Sequence, residues 1–293
     1  MLRFLPTWNL VDAVCEALGL TGDATMIASV IGVLLCIAVG YLLGSLNSAI
    51  IISRLFLHRD IRAHGSKNAG ATNMLRTYGT KYAVMTLVCD MLKSAVATAL
   101  GYLIGTVFIG APIAGFFCML GHTFPAKYKF KGGTGVACAA AVILMTDLGN
   151  ALHIPIVFIV LFACFAFIAL GLKYVSLASV MCMLVYPLLL NRVETFVLGL
   201  AFPNPEQLPA HNQEVFLNMY REINLSFIVA FLMAVLVIFM HRENIKRLLR
   251  GEESKLDLSK KKNPIYESTV KTEKSDSDTA EIESDINDKN RNT

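Results

Sequence analysis

Long apolar runs, separated by short polar stretches, occupy most of the chain between residues 26 and 240. A helix needs about 20 apolar residues to cross a hydrocarbon core of roughly 30 Å. Seven runs approach this length: 26–56, 82–106, 108–125, 135–146, 154–172, 177–200 and 225–240. The fourth is too short unless it continues past Asp147 to residue 153. The pattern predicts an all-α integral membrane protein with seven transmembrane helices.

The composition excludes a soluble domain. Of the 293 residues, 55% are hydrophobic and only 16% are charged, and the mean hydropathy is +0.57. Ordinary globular domains carry about 25% charged residues. The chain is therefore expected to be a multi-pass membrane protein.

The distribution of Lys and Arg predicts the orientation, because cytoplasmic connections carry an excess of these residues. Connections after odd-numbered runs hold most of them: Arg54, Arg59, Arg62, Lys67, Arg76, Lys81, Lys127, Lys129, Lys131, Lys173, Arg242, Lys246, Arg247 and Arg250. The opposite connections are almost without basic residues. With seven spans, the N-terminus lies outside and the C-terminus in the cytoplasm; merging or dropping one span would break this agreement.

The first 25 residues precede the predicted bundle. Asp12, Glu16 and Asp23 interrupt their apolar positions, which argues against a signal peptide. The apolar side chains recur at helical spacing, so an amphipathic helix at the outer membrane interface is expected. A disordered lead is the alternative. The apolar residues that set this spacing are Phe4, Trp8, Val11, Val14 and Leu18.

The other end of the chain is rich in Lys, Glu, Asp, Ser and Thr. Such a composition cannot bury a core, so residues 253–293 are predicted to form a disordered charged tail. Residues 26–252 then make up the seven-helix domain.

Three polar stretches, each following an odd-numbered run, fall on one face of the predicted bundle. They are residues 58–76 (the first stretch), 121–136 (the second stretch) and 174–179 (the third stretch). Arg62 and Arg76 in the first stretch carry guanidinium groups that match a phosphate with paired hydrogen bonds. An ordinary positive-inside loop is the alternative. Small residues in this stretch would allow close approach of a ligand, and its neutral donors include Ser66, Asn68, Thr72 and Asn73.

The second stretch ends in a glycine-rich turn that leads directly into the fourth run. Backbone amides in such a turn can form an anion-binding nest beside the positive end of a helix. The spacing does not match a Walker A loop. The alternative is a flexible turn with lysines at the membrane edge. The candidate phosphate-binding residues are Lys129, Lys131, Gly132, Gly133, Thr134 and Gly135.

No metal or cofactor site is predicted. Six of the seven cysteines lie inside apolar runs and share no metal-binding spacing. No two histidines have the i, i+4 spacing of a helical zinc site. No Ser-His-Asp arrangement is evident either, so the candidate chemistry remains that of the polar loops.

Together these pieces resemble the PlsY family of bacterial membrane acyltransferases. The resemblance covers roughly residues 41–253, and four pieces occur in the family's order. These are Gly44-Ser45 with 60–76, then 121–137, 174–179 and 241–252. Four pieces in register are far more specific than any single loop.

The resemblance implies a seven-helix fold with its active site at the cytoplasmic face of the bacterial cytoplasmic membrane. The expected reaction moves an acyl group from acyl-phosphate to the 1-hydroxyl of glycerol 3-phosphate. The partners would be these two substrates and membrane lipid, without nucleic acid, and the protein would be monomeric.

The resemblance also implies roles for particular residues. Those expected to be catalytic, through contact with the substrate phosphates, are Ser66, Asn68 and Arg76. Those expected to close the site or hold glycerol 3-phosphate are Ser176, Ser179, His241 and Asn244. Asp90 and Lys93 also match the family, and their spacing on one helix face predicts a structural ion pair.

The chain departs from the family pattern in the phosphate loops. Thr134 stands where a phosphate-binding lysine is usual, and Cys138 replaces a threonine. Lys67 stands at a glycine of the family's Gly-Ser-Gly-Asn piece, so we hypothesise that its charge partly compensates for Thr134. Asn47 replaces a common proline, a change expected to be structural only.

Two other functions remain open at this point. One is a catalytically weak paralogue that binds phospholipid precursors, and the other is an organic-phosphate transporter. Transporters often show internal repeats and polar residues at the bilayer midplane. No repeat is evident, and the runs contain few polar or helix-breaking residues, Asp90, Lys93 and Pro187 among them.

Overall fold

The computed structural model describes residues 9–105, 109–149 and 155–256. Throughout these ranges the regular structure is helical, which confirms the predicted all-α class. The helices are α1 Leu10–Leu18, α2 Asp23–Ser45, α3 Ser48–Leu57, α4 Ala71–Tyr78, α5 Thr80–Ile104, α6 Gly110–Thr123, α7 Val136–Leu148, α8 Ile156–Gly171, α9 Val175–Ala201, α10 Ala210–Met240 and α11 Arg242–Leu249. Short 3₁₀ turns occur at Ile61–Ala63, Ala126–Tyr128 and Pro205–Gln207.

Each of the seven predicted runs corresponds to helix, but the first and last differ from the prediction. The first run is divided into α2 and α3 at Leu46 and Asn47. The side chain of Asn47 accepts a hydrogen bond of 3.1 Å from the backbone N–H of Ile50, which caps α3. The last run begins earlier than predicted, because α10 already starts at Ala210.

By length and composition, four helical segments in the described ranges are suited to crossing a membrane: 23–57, 80–104, 175–201 and 216–240. Helices α6 and α7 contain 14 and 13 residues. At 1.5 Å per residue they extend only about 20 Å, less than the hydrocarbon core. The chain is thus a multi-pass membrane protein whose shorter helices pack between longer ones.

Helix α6 packs closely against α2 and α5 because glycines line both contacts. A Cβ atom at Gly40 or Gly44 of α2 would overlap the α6 backbone at Ala114 or Cys118. Gly101 of α5 faces the backbone of Gly110 in the same way. These glycines therefore allow close approach of the helices within one bundle.

Apolar side chains lie both inside and outside the bundle, as expected for a protein surrounded by lipid. The core formed by helices α6 to α10 includes Met119, Val142 and Met233, all nearly inaccessible. On the outer surface, Phe167 is 80% exposed and Leu188 is 64% exposed. In water this much exposed apolar surface would be costly, whereas in a bilayer it contacts acyl chains.

The predicted N-terminal helix is present as α1. Asn9 caps it by accepting a hydrogen bond of 2.9 Å from the N–H of Asp12, and Val11 packs on Gly32 of α2. Phe4 and Trp8 lie outside the described residues, and the interfacial position of α1 remains a prediction.

The folded part of the chain extends beyond the predicted boundary at residue 252. Glu253 is 7% exposed, and the N–H of Leu256 donates to the carbonyl of Lys173. Residues 253–256 therefore pack against the start of α9 rather than joining the tail. The rest of the predicted tail, 257–293, lies outside the described residues.

Candidate active site

Asn73 of α4 organises the first stretch. Its side chain is buried, and its Oδ1 accepts a hydrogen bond of 2.9 Å from the N–H of Ser66. Its Nδ2 donates to the carbonyls of Asn68 at 2.9 Å and His64 at 3.0 Å. Three loop residues are thus fixed by one amide. Although Asn73 was predicted to bind substrate, its side chain here binds the backbone of the loop.

Arg62 connects the first and second stretches. Its guanidinium forms an ion pair of 2.8 Å with Asp60, donates a hydrogen bond of 3.0 Å to the carbonyl of Tyr128, and lies over that ring. Arg54 also pairs with Asp60 at 2.8 Å. Hydrogen bonding from Arg62, above all, holds the pKa of the Asp60 carboxyl well below its usual range. The predicted substrate-binding guanidinium of Arg62 therefore contacts protein groups that join two loops.

The glycines of the second stretch run along the end of α6. Gly132 donates to the carbonyl of Thr123, and Gly133 donates to the carbonyl of His122, both at 3.1 Å. The carbonyl of Gly132 accepts a hydrogen bond of 3.4 Å from the N–H of Ala69 in the first stretch. A Cβ atom at either glycine would overlap His122. Close backbone packing therefore explains both glycines, and it brings the two predicted loops together.

Gly135 directly precedes α7 and has a φ of +80°, a left-handed conformation that favours glycine. Thr134 beside it is half-buried, and Lys129 and Lys131 are exposed. The first-turn amides of α7 follow directly, as the predicted anion-binding turn requires.

The first stretch leaves several polar side chains accessible. Ser66 and Lys67 are exposed, and Asn68 is half-buried. Lys67 has a φ of +60°, the left-handed region in which glycine is more usual. Arg76 donates a hydrogen bond of 3.3 Å to the carbonyl of Ser254, which places it beside the C-terminal segment.

Glu253 joins the third stretch to α11, a role that no sequence motif predicted. Its Oε1 accepts hydrogen bonds from the hydroxyl of Ser176 at 2.8 Å and the amide of Asn244 at 2.9 Å. Its Oε2 accepts from Arg247 at 2.8 Å. The only sequence signal was its position directly after the fourth family piece.

The charge of Glu253 is maintained by these partners. Burial by itself would raise the pKa of Glu253, but hydrogen bonds from Arg247, Asn244 and Ser176 outweigh it and hold the pKa below its usual value. Two predicted substrate-binding residues, Ser176 and Asn244, are thereby drawn together on one carboxylate.

Ser179 and His241 are both buried and bonded to their own helices. The hydroxyl of Ser179 donates to the carbonyl of Val175 at 2.8 Å. His241 Nδ1 lies 2.8 Å from the carbonyl of Val237, and because a carbonyl only accepts, Nδ1 carries the proton. Burial lowers the pKa of His241. The neutral ring therefore keeps Nε2 available as an acceptor.

A buried polar cluster lies beneath the two loops. Lys93 forms the predicted ion pair with Asp90 at 2.9 Å, which is confirmed, and its Nζ also lies 3.0 Å from His122 Nδ1. One ligand atom each from Asp90, His122 and Cys138 falls within 4.8 Å of the others, a grouping that could hold a metal ion. The ammonium of Lys93, however, already supplies a positive charge to this cluster.

Comparison with known proteins identifies a family whose matched segment contains these loops. Residues 34–251 match the family model described as glycerol-3-phosphate acyltransferase. The chain belongs to this family. The matched segment contains all four pieces of the predicted site almost to their ends, whereas Glu253 falls just beyond it.

Named relatives and solved structures of glycerol-3-phosphate acyltransferases cover most of the chain. The enzyme of that name from Finegoldia magna is 34% identical over 74% of this chain and 92% of its own length. The one from Rhizobium etli is 38% identical over 74% of this chain and 88% of its own. The crystal structure of PlsY in its glycerol 3-phosphate form is 30% identical, with a TM-score of 0.60 over 77% of this chain and 96% of that one. A lysophosphatidic acid form gives 0.59.

Proposed function

We propose that this acyltransferase moves a fatty acyl group from acyl-phosphate to the 1-hydroxyl of glycerol 3-phosphate, the first acylation step of phospholipid synthesis. The products would be lysophosphatidic acid and inorganic phosphate. The observation that carries the proposal is the hydrogen bond between Ala69 and Gly132, which unites the two predicted phosphate loops at the same end of the bundle. Family membership supports the reaction class.

The accessible groups of these loops would bind the two phosphates. We assign this role to Ser66, Asn68 and Arg76, and to the glycine-rich turn with Lys129 and Lys131. Charge-assisted hydrogen bonds to phosphate are among the strongest that a protein forms. Arg62 and Asn73 would act through the loop backbone that they hold.

The third stretch and the C-terminal segment would form the opposite wall, with Ser176, Ser179 and Asn244 placed around glycerol 3-phosphate. The unprotonated Nε2 of His241 would accept a hydrogen bond from a substrate hydroxyl.

The reaction requires positioning more than strong acid–base catalysis, because acyl-phosphate is already activated. The hydroxyl oxygen of glycerol 3-phosphate attacks the acyl carbonyl carbon, and the bond from that carbon to the phosphate oxygen breaks. The hydroxyl proton passes to a substrate phosphate. Holding the reacting atoms about 3 to 3.5 Å apart can lower the barrier by several kcal/mol. Arginine and backbone amides would stabilise the developing negative charge.

The membrane arrangement follows from the charge distribution. We infer seven spans, an external N-terminus and a site at the cytoplasmic face of the bacterial cytoplasmic membrane, with a monomer as the functional unit. The basic residues after odd-numbered runs support this orientation. The exposed apolar belt of the bundle supports a surrounding bilayer.

A direct assay tests the function. Purified protein receives palmitoyl-phosphate and glycerol 3-phosphate, and lysophosphatidic acid and released phosphate are measured. We expect Arg76→Ala to abolish activity. Arg59→Ala should retain it and serves as the control, because Arg59 is an exposed arginine of the same stretch. Binding of glycerol 3-phosphate without turnover would instead identify a weak paralogue. Uptake into vesicles without acyl transfer would identify a transporter.

A further inference from the structure

The buried cluster of Asp90, Lys93 and His122 has a position that the reaction itself does not explain. Asp90 is 1% exposed and His122 is 3% exposed, and the side chain of Lys93 is 9% exposed. These residues lie on the facing sides of α5 and α6, inside the helical bundle. Burying charged groups there is costly unless they are paired. Such a cluster is therefore expected to serve a specific purpose.

Lys93 is the centre of the cluster. Its ammonium lies 2.9 Å from Asp90 Oδ1 and 3.0 Å from His122 Nδ1. It also donates to the carbonyls of Leu46 at 2.8 Å and Gly44 at 3.2 Å. These two carbonyls lie at the C-terminal end of α2, where helical carbonyls lack partners within their own helix. Lys93 thus fixes the point at which α2 ends.

His122 extends the cluster to the second stretch. When its Nδ1 accepts a hydrogen bond from Lys93, the proton of the neutral ring resides on Nε2. That nitrogen borders Gly133, where a Cβ atom would overlap it. The backbone carbonyl of His122 also accepts the hydrogen bond from the N–H of Gly133. Both the ring and the backbone of His122 therefore determine where Gly133 lies.

Hydrogen bonds also link this cluster to the first stretch. Asn47 follows Leu46, and its Nδ2 donates to the carbonyl of Ala69 at 3.3 Å. The N–H of Ala69 donates to Gly132. A closed circuit of contacts thus runs beneath both loops, through residues that are distant in sequence. Its members, in order, are Lys93, Leu46, Asn47, Ala69, Gly132, Gly133 and His122.

We propose that His122, held by Lys93, is a positioning residue that sets the Gly132–Gly133 backbone against the first stretch and so determines affinity for the phosphate of glycerol 3-phosphate. This inference rests on the proposed function. His122 lies below the glycine backbone and acts through it rather than on the reacting atoms. Displacing a binding loop by about 1 Å is enough to change affinity substantially.

The test compares His122→Asn with His122→Gln. The asparagine amide can accept from Lys93 but is too short to reach Gly133, whereas the glutamine amide reaches the place of Nε2. We expect asparagine to raise the KM for glycerol 3-phosphate on the order of tenfold, with kcat and the KM for acyl-phosphate nearly unchanged. Glutamine should restore most of the affinity. Cys118→Ala is the matched control, because Cys118 is buried on the same helix and contacts Ser94.

A second measurement does not require turnover. The rise in melting temperature caused by glycerol 3-phosphate alone should be smaller for His122→Asn than for the wild type and Cys118→Ala. If His122→Asn does not fold, the double variant Asp90→Asn/Lys93→Gln removes both charges together and should raise the same KM. An unchanged KM in the folded variants, or a loss confined to kcat, would overturn the inference. If the wild-type protein showed no acyl-transfer activity, that result would instead contradict the proposed function.

Discussion

The carboxylate of Glu253 accepts a hydrogen bond of 2.8 Å from the hydroxyl of Ser176, although 77 positions separate the two residues. This contact fixes the end of the described chain to the first turn of α9. The same segment approaches α4, because Arg76 donates to the carbonyl of Ser254. Residues 253 and 254, which the composition predicted to belong to a disordered tail, therefore hold both the third stretch and the catalytic candidate Arg76 in place.

Removal of the Glu253 side chain should destabilise the protein. Glu253→Ala leaves Arg247, Asn244 and Ser176 without their shared acceptor, which is expected to lower the free energy of unfolding by about 2 kcal/mol. Thermal unfolding in detergent measures the loss. Glu252→Ala is the matched control because Glu252 is exposed. Equal melting temperatures for the two variants would contradict the role of Glu253.

The pH dependence of stability should reflect Glu253 and Asp60. Both pKa values are lowered in the folded protein. Their stabilisation is therefore complete above the unfolded carboxyl values of about 4 and is lost as the pH falls through the lower folded values. Melting temperatures measured between about pH 3 and pH 7 should decline at the acid end. Glu253→Gln and Asp60→Asn should each flatten this decline, and a decline identical to wild type would refute the assignment.

Asn73 should be more important for activity than its buried position suggests. Asn73→Ala removes the amide that holds Ser66, Asn68 and His64, so kcat/KM should fall on the order of a hundredfold. Steady-state kinetics with each substrate varied in turn measure the change. Thr80→Ala, at an exposed position in the first turn of α5, should behave as wild type. A fall of less than about threefold for Asn73→Ala would show that the loop keeps its shape without it.

Lys67 and Thr134 allow a test of the hypothesis that the charge of Lys67 compensates for the lysine that is missing at position 134. Each lies two residues from the Ala69–Gly132 contact, and within the described part of the chain the Lys67 ammonium has no hydrogen bond or ion pair. Lys67→Gly should relieve its left-handed backbone yet raise the KM for a phosphate-bearing substrate about tenfold or more, the effect of losing 1.5 to 3 kcal/mol. Thr134→Lys should lower that KM in the same variant. If neither substitution changes either KM, the compensation hypothesis is wrong.

Local patterns were sufficient to predict that the apolar runs are helical, because an apolar run inside a bilayer has few structural alternatives. They failed at the division between α2 and α3, where a long, mostly apolar run suggested one helix. The capping by Asn47 and the hydrogen bonds from Lys93 to the carbonyls of Gly44 and Leu46 stabilise the break there. Lys93 lies on another helix, so its effect could not be read from the run itself.

The sequence by itself determined the membrane class, the helical character of the apolar runs and the family, since each depends on composition or on residues close together in the chain. Only the tertiary structure decided which polar side chains of the loops stay accessible and which hold the loop backbone. Asn73, Arg62, His122 and Glu253 have partners up to 77 positions away. His122 meets Lys93 of α5 because glycines let α2, α5 and α6 approach to backbone contact, a result of packing that no local pattern specifies.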